Sequence, residues 1–276
     1  MKKTNKIISF LLVLVIVLCS VSVLASAQNE SKQFVLLGDS IAYGTGLKNP
    51  AEDSYGALIC GANGYVYKNY SVPGHTTDAM MQRLQNEDVV AGIADADIIA
   101  VSIGGNNFLL GNMLQMVWDA LIKNDYSLMD KIIEELHGKL NGIFDRIKEI
   151  NPDAVLLVQT LYNPRDDIVK EAYQYGVDGL NAQLRKIQIE RSYDFSIVEV
   201  GVAFNNDTQY IQSDGIHPNE VGHYVIAQEY VKVLYEMGLG IASELASEIP
   251  ELPLSLWEKL ISAIKSIFNA LINLFN

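Results

Sequence analysis

Phe34-Val-Leu-Leu-Gly-Asp-Ser40 is an unbroken apolar run that stops on a glycine, an acid and a hydroxyl. Four apolar residues without polar alternation read as a strand covered on both faces, the kind found in parallel sheets. Gly38 permits a tight turn at the end of that strand. Ser40 then stands at, or just before, the first residue of the next helix. Taken alone, a serine in that place is most simply a helix N-cap.

Outward from this strand the pattern repeats. Tyr65–Val72, Asp97–Ile103, Ala154–Leu161 and Phe195–Val200 read as further strands, and Asn151-Pro152-Asp153 is a turn signal leading into the fourth. Helical patterns are predicted over 53–61, 76–92, 107–123, 126–150, 166–191 and 219–237. Alternating strands and helices predict an α/β fold with a parallel, doubly wound sheet of five strands. Ligands of such sheets sit beyond the carboxyl ends of the strands, where the strand order switches. Ser40 follows the first strand, Gly74 the second and Asn106 the third. The stretch 107–150 is long for one crossover. It reads as two helices broken near Asn124-Asp125, serving either as outer packing or as a partial lid.

The two ends of the chain differ from this middle. Lys2, Lys3 and Lys6 precede an apolar run from Ile7 to Leu24, and Ala25-Ser26-Ala27 fits a small-x-small cleavage site. That pattern predicts a signal peptide over 1–27, with an uncleaved N-terminal anchor as the alternative, since the run is about a bilayer long. Leu18 stands where lipoprotein signals carry a small residue, which speaks against lipidation of Cys19. At the other end, residues 241–276 read as a linker followed by an amphipathic helix. Trp257, Leu260, Ile261, Ile264, Ile267, Phe268, Leu271, Ile272 and Phe275 fall on one face of it. Three uses are open for that helix: docking on its own domain, self-association, or contact with a membrane surface through 252–276.

The 276-residue chain carries a formal charge of −13, which becomes −16 once the three leader lysines are set aside. A balance so acidic argues against a nucleic-acid partner. Past the leader, Cys60 is the only cysteine, so no intrachain disulfide is expected, and neither a CxxC nor an HExxH zinc pattern occurs. No cofactor or metal is called for.

Chemistry enters when the Ser40 turn is set beside Asp214-Gly-Ile-His217. A serine hydroxyl is a weak nucleophile until a neighbouring base takes its proton. Of the four histidines, His137 lies in a polar helical run, His223 sits within a helix and His75 is a possible pocket residue. His217 stands between a turn and Pro218, and Asp214 lies three residues before it. That spacing can set a carboxylate on imidazole Nδ1 and leave Nε2 free to face Ser40. Asp214 could equally serve as an N-cap or Asx-turn residue. Oxyanion donors are available in the Gly74 N–H and in the Asn106 side chain, which follows Gly104-Gly105.

Gly38-Asp-Ser-Ile41, Gly74, Gly104-Gly-Asn-Asn107 and Asp214-Gly-Ile-His-Pro218 together resemble the four motif blocks of the SGNH hydrolases, the GDSL esterase/lipase family. The resemblance spans roughly 33–237. It implies a flavodoxin-like three-layer α/β/α sandwich and a hydrolase domain over 28–240. It implies catalytic roles for Ser40, His217 and Asp214, with the oxyanion held by the Ser40 N–H, the Gly74 N–H and Asn106. Asn107 departs from the family, which usually carries Asp there. The expectation is a secreted or envelope-associated esterase acting on small-molecule, lipid or glycan esters through an acyl-enzyme. Carbohydrate O-deacetylation at the envelope is one narrower form of it, and a non-catalytic envelope binding protein on the same fold is the rival.

Overall fold

The computed structural model describes residues 31–192 and 194–245. The expected leader and the expected amphipathic helix lie outside them.

Five strands, β1 Gln33–Gly38, β2 Val66–Asn69, β3 Ile98–Ser102, β4 Val155–Gln159 and β5 Ser196–Val198, form one sheet in the order β2-β1-β3-β4-β5. All four pairings are parallel. This is the flavodoxin-like order, with its switch point between β1 and β3. β1 runs one residue past its apolar pattern at each end, while the other four strands are shorter than theirs suggest. Residues such as Tyr70, Val72 and Thr160 continue past a strand end with single backbone hydrogen bonds to the neighbouring strand.

Six helices cover the sheet: α1 Tyr55–Asn63, α2 Thr77–Arg83, α3 Glu87–Ala94, α4 Ser127–Ile150, α5 Lys170–Glu190 and α6 Glu220–Glu236. Alternate side chains of β1 decide the layers. Val35 and Leu37 join one core with Val89 and Ile93 of α3, Leu136, Leu140, Ile143 and Ile147 of α4, and Leu180 and Leu184 of α5. Phe34 and Leu36 join another with Tyr55 and Ile59 of α1 and Ile226, Tyr230 and Leu234 of α6. Both faces of the sheet are therefore buried at β1, β3 and β4, which is why those strands carry no polar alternation. Full burial of each such side chain contributes about 1.5–3 kcal/mol.

Two expected helices are broken in the fold. The stretch 76–92 divides at Leu84–Asn86, where the N–H groups of Gln85 and Asn86 turn back to carbonyls three residues earlier. The stretch 107–123 divides into Gly105–Leu109, Met113–Trp118 and a π-helical turn Asp119–Lys123, ending at Asn124 with φ 52°. The expected break before α4 thus falls on a left-handed asparagine, a residue that tolerates that conformation. Residues 241–245, the start of the expected linker, lie against the domain. Asn63 Oδ1 accepts the N–H groups of Ile241 and Ala242, and Gln228 Oε1 accepts that of Leu245. Among the described residues no helix is long and apolar enough to cross a membrane.

Candidate active site

Gly38 ends β1 in a place only glycine fits. A Cβ there would stand 2.5 Å from that of Ala42 and 2.6 Å from the Ser102 carbonyl oxygen. The chain then turns into a short helix, Ser40–Tyr43, whose N-cap is Asp39: its Oδ1 accepts the Ile41 N–H at 3.0 Å. Because Asp39 supplies the cap, the Ser40 hydroxyl is left for other work.

That hydroxyl lies 2.8 Å from His217 Nε2, across 177 residues of sequence. His217 Nδ1 lies 2.7 Å from Asp214 Oδ2. Asp214 Oδ1 meanwhile accepts the N–H groups of Ile216 and His217 at 2.9 and 3.0 Å. The two readings of Asp214 are therefore both realised: one oxygen builds the Asx turn and the other meets the imidazole. Partial burial works against the Asp214 charge. The imidazole and the two N–H bonds outweigh it and hold the carboxyl below its usual range.

Gly74 lies in the turn Val72-Pro73-Gly74-His75, closed by the His75 N–H on the Val72 carbonyl. Its φ of 81° suits the third place of a type II turn, which Pro-Gly favours. Among the described residues, neither the Gly74 N–H nor the Ser40 N–H is spent on an acceptor. Asn106 is buried beside them. Its Nδ2 donates to the His75 carbonyl at 3.0 Å and, over a longer 3.4 Å, to Asp39 Oδ2. One amide group thus ties together the loops after β1, β2 and β3. Asn107, the departure from the family pattern, clasps the first turn of α2. It accepts the Thr77 N–H at 3.1 Å and donates to Thr77 Oγ1 at 2.9 Å.

The remaining histidines lie elsewhere. His223 is fully buried in α6, where its Nδ1 accepts the Tyr55 N–H, and burial with the nearby His217 charge pulls its pKa down to about 3. His137 is less free than its polar surroundings suggest: it bridges α4 to Gln183 and Glu190 of α5. His75 reaches the site through its carbonyl, as above.

Several contributors have no mark in the sequence. Gln212 spans the two loops that carry the contact. Its Nε2 donates to the Thr45 carbonyl at 2.8 Å and to the Pro218 carbonyl at 2.7 Å, while the Thr45 N–H bonds back to the Ser40 carbonyl. Tyr162 supports the same loop from the far side, donating to the Ile216 carbonyl at 2.8 Å. Gln212→Ala is expected to lower the kcat of whatever reaction the Ser40–His217 pair carries by about tenfold to a hundredfold, since a misplacement near 1 Å can cost that much. KM should change little. Steady-state kinetics check this, and a loss confined to KM would make Gln212 a substrate contact instead.

Asp39 carries a second consequence. Burial raises its carboxyl from 3.8 to about 6, against the lowering effects of the Ile41 N–H and the His217 charge. The folded state therefore holds this proton more tightly than the unfolded chain does. The stability it lends is complete below about pH 4 and is lost as pH rises through about 6. A shift of that size is worth up to about 3 kcal/mol. Asp39→Asn should thus gain on the wild type by up to that amount between about pH 4 and 7. Urea unfolding of both proteins at the two pH values checks this, and a constant difference would refute it.

Beside Ser40 a narrow, mostly apolar cleft of about 660 Å³, counting its open mouth, runs between α5 and the helices after β3. Phe108, Leu109 and Met113 form one wall, so the first half of 107–150 borders the site, while α4 is chiefly core packing.

A model of the GDSL-like lipase/acylhydrolase family matches residues 36–225. The uncharacterized protein YpmR of Bacillus subtilis (strain 168) is 26% identical over 178 residues, covering 62% of this chain and 67% of its own. Among solved structures, the lipase Lip_vut3 from a goat rumen metagenome superposes with a TM-score of 0.62 at 19% identity, over 76% of this chain and 99% of its own. Phospholipase A1 from Streptomyces albidoflavus NA297 superposes with a TM-score of 0.58 at 16% identity, over 75% and 99%. At such identities these likenesses speak to the fold.

Proposed function

The chain belongs to the GDSL-like lipase/acylhydrolase family, and on that premise we propose that it is an exported serine esterase working through an acyl-enzyme on Ser40. Membership makes it a hydrolase acting on esters. The finer reading rests above all on the 2.8 Å contact between Ser40 Oγ and His217 Nε2. Export rests on the leader pattern of residues 1–27.

With its Nδ1 proton directed at Asp214, the neutral imidazole presents the Nε2 lone pair to the Ser40 hydroxyl. Ser40 Oγ attacks the ester carbonyl carbon as its proton passes to Nε2. Asp214 stabilises the imidazolium that results. Negative charge gathers on the carbonyl oxygen, where the N–H groups of Ser40 and Gly74 and the Asn106 amide receive it. The Asn106 hydrogen held weakly by Asp39 at 3.4 Å is the one free to turn to that oxygen. Collapse expels the alcohol, which takes the proton from Nε2. Water then repeats the sequence in place of Ser40 and releases the acid.

The test is covalent. A fluorophosphonate should add one phosphonyl group to the peptide containing Ser40, seen by mass spectrometry. Folded protein that never takes the label would return the fold to a binding role.

A further inference from the structure

The helix Met113–Trp118 and the π-helical turn Asp119–Lys123 that continues it carry apolar side chains on both sides. Met116 and Ala120 face inward and join the core built with α4 and α5. Leu114, Trp118, Leu121 and Ile122 face outward and are 88%, 57%, 41% and 63% exposed. The polar residues between them are spent on one another. Gln115 Nε2 donates to Asp119 Oδ1 at 2.8 Å, and Lys123 Nζ meets the same oxygen at 2.6 Å. A helix that is apolar all round belongs between two partners, and the described residues supply one of them. The outer face is contiguous apolar surface of the kind that marks an interaction site. Its charges are already paired, so it asks for an apolar partner.

Where the described chain ends indicates what that partner is. The Gly240 N–H bonds to the Leu234 carbonyl near the end of α6, and from there the chain runs back along that helix. By Leu245 it has reached Gln228 and Tyr224. Gln228 Oε1 accepts the Leu245 N–H at 2.9 Å, and the Tyr224 hydroxyl donates to its carbonyl at 3.3 Å. The chain thus leaves the domain heading for the first turn of α6, which follows directly on the His217 loop. Ile216 of that loop and Met113 of the exposed helix line the same cleft. Exit and apolar face therefore lie towards one end of the molecule. Residues 246–256 can span up to about 36 Å, ample for crossing a narrow cleft.

The segment beyond, Trp257 to Phe275, has by sequence the matching face. Leu260, Ile264, Phe268 and Ile272 recur every four residues, as Leu114, Trp118 and Ile122 do. Rows of that spacing interlock as ridges and grooves between two helices. A lipid surface has less to hold it. Lys123 is the single cation of the exposed helix and is engaged by Asp119, in a chain of net charge −13. We infer that residues 257–275 fold back as a helix onto the outer face of 113–123, beside the mouth of the cleft.

The chain's two tryptophans, Trp118 and Trp257, make this measurable. In full-length Trp257→Phe, Trp118 is the sole indole emitter. Covered by the tail, it should be quenched by acrylamide about threefold less than in the same chain ended after Ile249. Adding Ile264→Asp and Phe268→Asp to full-length Trp257→Phe spoils the apolar face while keeping the tail, and should raise quenching to the same extent. Equal quenching in all three proteins overturns the inference. Shielding that vanishes on dilution, with a dimer seen by sedimentation, overturns it in favour of a second copy. A Trp118 that is shielded only when phosphatidylcholine vesicles are added overturns it in favour of a lipid surface. None of these readouts passes through ester hydrolysis, so this inference and the reading of Ser40 fail separately.

Discussion

Ser40→Ala is expected to lower kcat/KM for a soluble ester by about 10⁶ while leaving the fold intact. The size follows from what the hydroxyl does. In the proposed mechanism it is the atom that bonds to the carbonyl carbon, and without it the His217 imidazole loses the hydroxyl it would activate. A residue of catalysis should survive, about 10³–10⁴ over water, because the Gly74 N–H and the Asn106 amide still receive charge on an oxygen attacked by water. Stability should stay within about 0.5 kcal/mol, since the hydroxyl is only partly buried and hydrogen-bonds to His217. Three measurements check it together: steady-state rates, loss of the fluorophosphonate label, and an unchanged urea midpoint. A variant that keeps a tenth of the wild-type rate would remove Ser40 from the chemistry.

Asp214→Asn should cost on the order of 10³–10⁴ in kcat, and for a different reason. Asparagine can keep its oxygen on the Ile216 and His217 N–H groups, so the turn survives. Its amide nitrogen then faces His217 Nδ1, where the carboxylate was. An N–H donor in that place requires Nδ1 to be the acceptor, which moves the ring proton to Nε2. The imidazole would then donate to Ser40, where the proposed mechanism needs it to accept. The Asp214 side chain is 44% exposed, and water can partly take its place, which sets the lower end of the range. Steady-state kinetics with circular dichroism separate the two effects. Loss of structure together with activity would show that Asp214 acts mainly through its turn.

Much of this site can be read in the sequence because its parts are local. Gly38, Asp214 to His217 and Pro73-Gly74 are turn chemistry, and turn chemistry is written in adjacent residues. The apolar runs mark strands because both faces of the sheet are covered, and the spacing of Leu136, Leu140, Ile143 and Ile147 marks α4 because that face meets the sheet. Where two local roles compete, the sequence alone stays ambiguous. Ser40 could have been the helix cap until Asp39 was seen to fill that place. Asp214 could have been a turn residue or an orienter, and its two oxygens let it be both.

Other features leave no local trace. Gln212 looks like any loop glutamine, since its two acceptors, Thr45 and Pro218, come from strands of chain that meet only in the fold. The break at Leu84–Asn86 carries no glycine or proline to announce it. Gly176 and Gly179, three residues apart in one helix, look alike as letters. One is explained by Ile133 across a helix contact, and the other lies against the Phe108 ring beside the cleft.

By itself the sequence determined the alternation of strands and helices, the order of the motifs, and which side chains have the chemistry to act. Each of these is set by hydrophobic period or by turn residues, which act over a few positions. The tertiary structure alone decided that an imidazole 177 residues away meets the hydroxyl, that a glutamine braces the two loops, and that the cleft is narrow and apolar. These are matters of packing between distant segments, where a few tenths of an ångström decide contact or clash, and no local pattern carries that information.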